Sequence, residues 1–91
     1  MAHTLRYHPR VADEDLKKIA RDIQRRIQRA LETRLAVAPE RYGVPLSGSL
    51  RGYSKLRVGD YRVVFRLSGD DVFVLAIVHR RDAYERAERR A

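Results

Sequence analysis

The sequence predicts an α+β domain in the order β-α-α-β-β-β with a C-terminal helical tail, its antiparallel sheet packed on an N-terminal helical pair. Three observations carry this reading. Residues Tyr53 to Leu67 alternate in character on both sides of Gly59-Asp60, the pattern of a β-hairpin closed by a two-residue turn. From Leu16 to Leu35 apolar residues recur every three or four positions, as an amphipathic helix requires. Val72 to Val78 is apolar without a break, which marks a strand covered on both faces.

In chain order, Thr4 to His8 alternate and stop at Pro9, giving a short first strand. The stripe Leu16, Ile19, Ile23, Ile27, Leu31 and Leu35 describes two helices or one bent helix. Asp22 is placed to cap a second helix, which sets the division near Arg21, although no glycine or proline marks a break. Pro39 is expected to end the helical region, and Gly43, Pro45, Gly48 and Gly52 make the next dozen residues a loop. The hairpin turn then sets Val58 opposite Tyr61, Arg57 opposite Arg62, Lys55 opposite Val64 and Tyr53 opposite Arg66. One face therefore carries Tyr53, Lys55, Arg57, Arg62, Val64 and Arg66. The other carries Ser54, Leu56, Val58, Tyr61, Val63, Phe65 and Leu67, the apolar surface a core needs. After a turn at Ser68 to Asp71, strict alternation puts Phe73, Leu75 and Ile77 on the face of Arg62. That apolar border must be covered, either by a short helix from Asp82 to Arg90 or by a partner.

Ninety-one residues make one small domain, 1–91, of modest stability. Without cysteine there is no disulfide framework, thiolate metal site or cysteine nucleophile. His3 and His8 have no partner at ligand spacing, so neither a metal nor another cofactor is expected. No stretch resembles a signal peptide or reaches membrane-span length, which implies a cytoplasmic address and no membrane partner. The net charge of +8 is unevenly spread. Six basic residues face one acid between Arg41 and Leu67, whereas the segment from Arg10 to Glu40 is nearly balanced. A cationic sheet face with an aromatic at its edge is the footprint of a polyanion contact, since neighbouring like charges otherwise only repel.

Three stretches point to a family: Pro45-Leu46-Ser47-Gly48 followed by Leu50; Leu56 to Phe65; and His79-Arg80-Arg81-Asp82-Ala83-Tyr84 at the end of the last strand. In this order and spacing they resemble the RelE/ParE superfamily of type II toxins, and its RelE-like branch in particular, over nearly the whole chain. The resemblance implies a ribosome-dependent endoribonuclease that cuts mRNA in the ribosomal A site, with mRNA and ribosomal RNA as partners. It also implies a cognate antitoxin that wraps the toxin in a hetero-oligomer. Carried over by motif, Arg62 contacts the scissile phosphate, Arg80 is the arginine after the last strand with Arg81 as the alternative, Tyr84 is the closing tyrosine, and Lys55 with Arg57 is the basic pair of the first hairpin strand. The best-studied members have a second lysine two residues before the one matching Lys55, where this chain has Tyr53.

RNA is cut without metal when the ribose 2′-hydroxyl attacks the adjacent phosphate in line, which requires a proton acceptor, a donor to the leaving 5′-oxygen and cations for the transition state. Arginines meet the third need but hold their protons too firmly to serve the first two. Lys55, Tyr84 and His79 are the candidate proton carriers, although a lone histidine at a strand end can equally be structural. The expected catalytic set is Arg62, Arg80, Tyr84 and Lys55, with Arg57, Arg66, Tyr53, Arg51, Arg81 and His79 binding RNA. Tyr53 could stack on a base or pack against Arg66. Lys17, Lys18, Arg25, Arg26 and Arg29 form an exposed helix face, or one that meets ribosomal RNA. Two rivals share the fold: a ParE-type inhibitor of DNA gyrase, and a basic RNA-binding module without catalysis.

Overall fold

A five-stranded sheet of order β1-β5-β4-β3-β2 organises the protein, whose computed structural model describes residues 3–82 and 84–91. Met1, Ala2 and Ala83, the last within the closing motif, lie outside the described residues. The α+β class and the order of the major elements are as expected. β1 (Thr4–Tyr7) leads into a π turn, Val11–Asp15, and a 3-10 turn, Leu16–Lys18. α1 (Arg21–Ala30) follows and runs on into a second π turn, Leu31–Leu35. α2 (Pro39–Tyr42), β2 (Val44–Pro45) and a 3-10 turn at Gly48–Leu50 precede the meander of β3 (Ser54–Val58), β4 (Tyr61–Ser68) and β5 (Asp71–His79). A 3-10 turn at Arg80–Asp82 and α3 (Glu85–Arg90) close the chain.

Several local expectations are corrected. The sheet is mixed: β1 lies parallel to β5, with Thr4 beside Asp71 and Tyr7 beside Val74, while the other pairings are antiparallel. The chain crosses from β1 through the helices to the far edge, and the meander returns β5 alongside β1 in the same direction. Within the expected loop, β2 pairs with β3; Pro45 is tolerated because this is an edge strand. The helical pair divides at Ile19 and Ala20, both extended, just before Arg21. Asp22 does not cap it, since Ala20 is the N-cap; instead the Gln24 side-chain amide donates to the carbonyls of Leu16 (2.8 Å) and Ile19 (2.9 Å), satisfying the end of the first segment. Pro39 does not end the helical region; it starts α2, where its missing N–H costs nothing.

Two apolar clusters form, one on each face of the sheet. The larger joins Val11, Ile19, Ile27, Leu31 and Leu35 to Leu56, Val58, Val63, Phe65, Val72, Val74 and Ile77. The smaller comprises Leu50, Val64, Leu75, Ala76, Val78 and Ala87, with Leu46, Tyr53, Phe73 and Tyr84 packed against it. Here strict alternation fails. Val64 pairs with Ala76 but Phe65 with Val74, so Leu75 is an extra residue in β5. The bulge sends Ile77 to the helical side and puts Leu75 and Ala76 together in the smaller cluster. The supposed apolar border is therefore covered by the protein's own C-terminal helix, with Ala87 packed in that cluster. Leu67, expected in the core, is 41% exposed beside the last turn of the meander.

Gly43 lies against Phe65: a Cβ there would stand 2.5 Å from the tip of that buried ring and 3.0 Å from the Pro39 carbonyl oxygen. Gly43→Ala is expected to destabilise the fold by about 1–3 kcal/mol through overpacking alone, as its φ of −83° suits any residue. A urea titration checks this; an unchanged midpoint would mean that Phe65 yields at no cost.

Where β1 ends, the outer edge of β5 is left open, and a buried ion cluster closes it. The Ile77 N–H donates to Asp15 Oδ2 (2.9 Å), and Arg90 Nη1 donates to the Leu75 carbonyl (3.1 Å). Arg86 Nη1 donates to Asp15 Oδ1 (2.6 Å), Arg90 Nη1 to Asp15 Oδ2 (2.8 Å), and Arg90 Nη2 to Glu14 Oε1 (2.7 Å). Burial alone would raise the Asp15 carboxyl, yet the bonds from Arg90, Ile77 and Arg86, with the charge of Arg90, hold it below its ordinary value. This cluster ties α3 to the helical layer around the edge of the sheet.

Candidate nucleic-acid interface

The hairpin closes as its sequence demands. Gly59 sits at φ +58°, a left-handed conformation that glycine adopts without strain, and the pairs Val58 with Tyr61, Arg57 with Arg62 and Lys55 with Val64 all form. Lys55, Arg57 and Arg62 thus share one face. Val64, on the same face, is fully buried beneath the smaller apolar cluster, so the cationic groups form a rim around an apolar floor rather than an open strip. Tyr53 lies just before β3, yet its ring still meets Arg66, whose guanidinium carbon is 5.4 Å from the ring centroid. The same guanidinium lies 5.7 Å from the Phe73 ring, because the turn at Gly69-Asp70 pairs Arg66 with Phe73. Phe73 is therefore a further aromatic of this face that strict alternation assigns correctly but without showing its contact.

α3 brings the closing tyrosine to the rim. Tyr84 is the N-cap residue of α3, packs on the smaller cluster and has its ring centroid 5.9 Å from the Lys55 ammonium nitrogen. Tyr84 also walls a cleft of about 510 Å³ with Leu46, Leu50 and Arg81, where Asp82, Glu85 and Glu88 supply negative charge. Among the described residues Arg62 Nη1 makes only long bonds, to the carbonyls of Gly59 (3.4 Å) and Tyr61 (3.3 Å). Arg80 joins the same turn: its backbone N–H donates to the Asp60 carbonyl (2.8 Å) and its Nε lies 3.6 Å from Asp60 Oδ1. That ion pair is largely exposed and so weak enough to exchange for a phosphate. Among the described residues, Lys55, Arg57, Arg62 and Arg66 form no ion pair with a carboxylate.

Not every expected site residue joins this group. His79 pairs with Tyr61, on the other side of the sheet, and the two rings meet edge to face at 5.2 Å. There His79 lines a cavity of about 260 Å³ with Lys18, Ile77 and Arg81, and its Nδ1 accepts from the Arg81 N–H (3.1 Å). Arg81 thus borders both this cavity and the Tyr84 cleft. Arg51 is exposed in the turn before β3. Among the described residues no cluster of histidines and carboxylates could hold a metal ion, and no helix is long and apolar enough to cross a membrane.

Residues 5–84 match the family described as the ParE toxin of the type II toxin-antitoxin system parDE. The chain belongs to this toxin family. No curated protein sequence matches the toxin. Among solved structures it is similar to the toxin-antitoxin complex RelBE2 of Mycobacterium tuberculosis, at 28% identity and a TM-score of 0.79 over 87% of this chain and 99% of that one. It is also similar to a doubly mutated toxin RelE of E. coli in the free state, at 20% identity and a TM-score of 0.75, covering 99% and 98% of the two chains. The RelB-RelE antitoxin-toxin complex of Methanococcus jannaschii follows at 21% identity and 0.66, covering 88% and 95%. The toxin is thus a type II toxin of the RelE/ParE superfamily with the RelE fold.

Proposed function

We propose that the toxin is a metal-independent endoribonuclease acting on ribosome-engaged mRNA, neutralised by a cognate antitoxin. The observation that carries this reading is the meeting of Lys55, Arg57 and Arg62 with Tyr84 on one sheet face, with no carboxylate paired to the three cations among the described residues. In the proposed reaction the ribose 2′-oxygen forms a bond to phosphorus as the bond to the 5′-oxygen breaks. Lys55 and Tyr84, the ammonium nitrogen 5.9 Å from the ring centroid, are the pair that moves protons, one accepting from the 2′-hydroxyl and the other donating to the leaving 5′-oxygen. Arg62 and Arg80 offset the charge gathered on the phosphate, and Arg66 with Tyr53 and Phe73 offers a cationic and aromatic seat for a neighbouring nucleotide. His79, on the far side of the sheet, has no place in this step.

A translation extract supplied with the toxin, followed by mapping of mRNA 5′-ends, tests the proposal: cuts are expected within codons occupying the A site. The match to the ParE family favours gyrase inhibition as the second reading. Intact mRNA together with blocked supercoiling by purified gyrase would replace the first with the second.

A further inference from the structure

On the flank of the hairpin lies a second cationic surface that shares only Arg57 with the cleavage site. β2 pairs only with Ser54 and Lys55, so the outer edge of β3 from Leu56 to Val58 has α1 beside it instead of a strand. Between them runs a groove of about 560 Å³ lined by Arg25, Arg26, Arg29, Arg34 and Arg57, with Asp22 as its one acid among the described residues. All five arginines are exposed, and none forms an ion pair among the described residues. Arg25 and Arg29 stand one turn apart on α1, where like charges repel. The Arg26 guanidinium reaches the hairpin turn, 3.9 Å from where a Cβ on Gly59 would stand.

We infer that this groove grips the sugar-phosphate backbone of double-helical RNA, apart from the strand that is cut. The choice of RNA rests on the proposed function; the rest follows from the lining. Its apolar contribution is small, Ala30 and Val58 alone, too little to bury the anchors of an acidic protein segment. No aromatic residue lines it among the described residues, so it offers no platform for the splayed bases of a single strand. Planar forks without apolar or aromatic partners suit phosphate oxygens, read by shape and charge and not by sequence.

Fluorescence anisotropy of the full chain with a 20-base-pair RNA duplex, over a series of salt concentrations, tests this. Arg25→Ala/Arg29→Ala is expected to weaken duplex binding about 10-fold at moderate salt and to lower the slope of log affinity against log salt by about 2. Both side chains are exposed, so the thermal midpoint should hold or rise, and Arg25→Lys/Arg29→Lys should recover most of the affinity. An unchanged duplex affinity and slope would overturn the inference. So would tighter binding of single-stranded RNA, of a DNA duplex or of polyglutamate, the last of which would mark an acidic-protein surface. A toxin that cuts nothing yet loses duplex affinity in the double variant would sink the nuclease and leave the groove standing; one that cuts with unchanged duplex affinity would do the reverse.

Discussion

Arg62→Ala is expected to lower mRNA cleavage by about 10²-fold or more, at almost no cost to folding. The expectation rests on two features of its setting. Arg62 is half-buried at the rim beside Arg57, so a phosphate bound there meets its charge in a partly desolvated place. Among the described residues its side chain makes only long hydrogen bonds, to the carbonyls of Gly59 and Tyr61, so folding gains little from them and loses little without them, within about 0.5 kcal/mol. If the charge acts on the transition state, the turnover number falls while KM changes little. Arg62→Lys, keeping a point charge without the fork, should restore part of the rate. Undiminished cleavage by the alanine variant in the extract assay would remove Arg62 from the mechanism.

Asp15→Ala is expected to cost about 3–5 kcal/mol, a large share of what a domain of this size possesses. The side chain is fully buried, and its loss leaves Arg86 and Arg90, 12% and 7% exposed, with only the partly exposed Glu14 and Asp82 as carboxylate partners and strips the N–H of Ile77 of its acceptor. Replacing the trio together by apolar residues should recover much of the loss, because no buried charge then remains unpaired. The pH dependence follows from the depressed carboxyl. Its folded-state value lies below the ordinary 3.8, so the unfolded chain binds the proton more readily in acid. The contribution of Asp15 is therefore complete above about pH 5 and fades as pH falls through 3.8 and then through the lower folded value. Urea midpoints measured from pH 6 to pH 2 should show a steeper acid loss for the parent than for Asp15→Asn. Parallel curves would mean that this carboxyl is not the one that titrates.

The hairpin was legible because every constraint on it is local. A glycine-aspartate turn fixes the register, period-two alternation then assigns each side chain to a face, and the observed pairs of Arg57 with Arg62 and Lys55 with Val64 follow from those alone. Ile77 shows where that logic stops: one extra residue at Leu75 reverses the alternation, and no residue type in an apolar run announces it. Asp15 was missed for a different reason. It occupies the stripe position between Val11 and Ile19, where an acid is out of place, and Arg86 and Arg90 stand one helical turn apart; each signal is plain only when the other is brought beside it. His79 falls to the same bulge: strict alternation carries it with Ile77 to the face of Arg62, and the extra residue at Leu75 sends both to the opposite side, where His79 pairs with Tyr61.

Sequence alone determined the major strands and helices, the cationic hairpin face and the kinship with type II toxins, since turn chemistry, periodicity and short motifs are written in residues a few positions apart. Tertiary structure decided the parallel pairing of β1 with β5, the bulge, the meeting of Tyr84 with Lys55 and the closure of the sheet edge by Asp15. The partners of Asp15 lie 62, 71 and 75 residues away, and which distant groups share a buried volume is settled by packing and by the need to satisfy every buried polar atom.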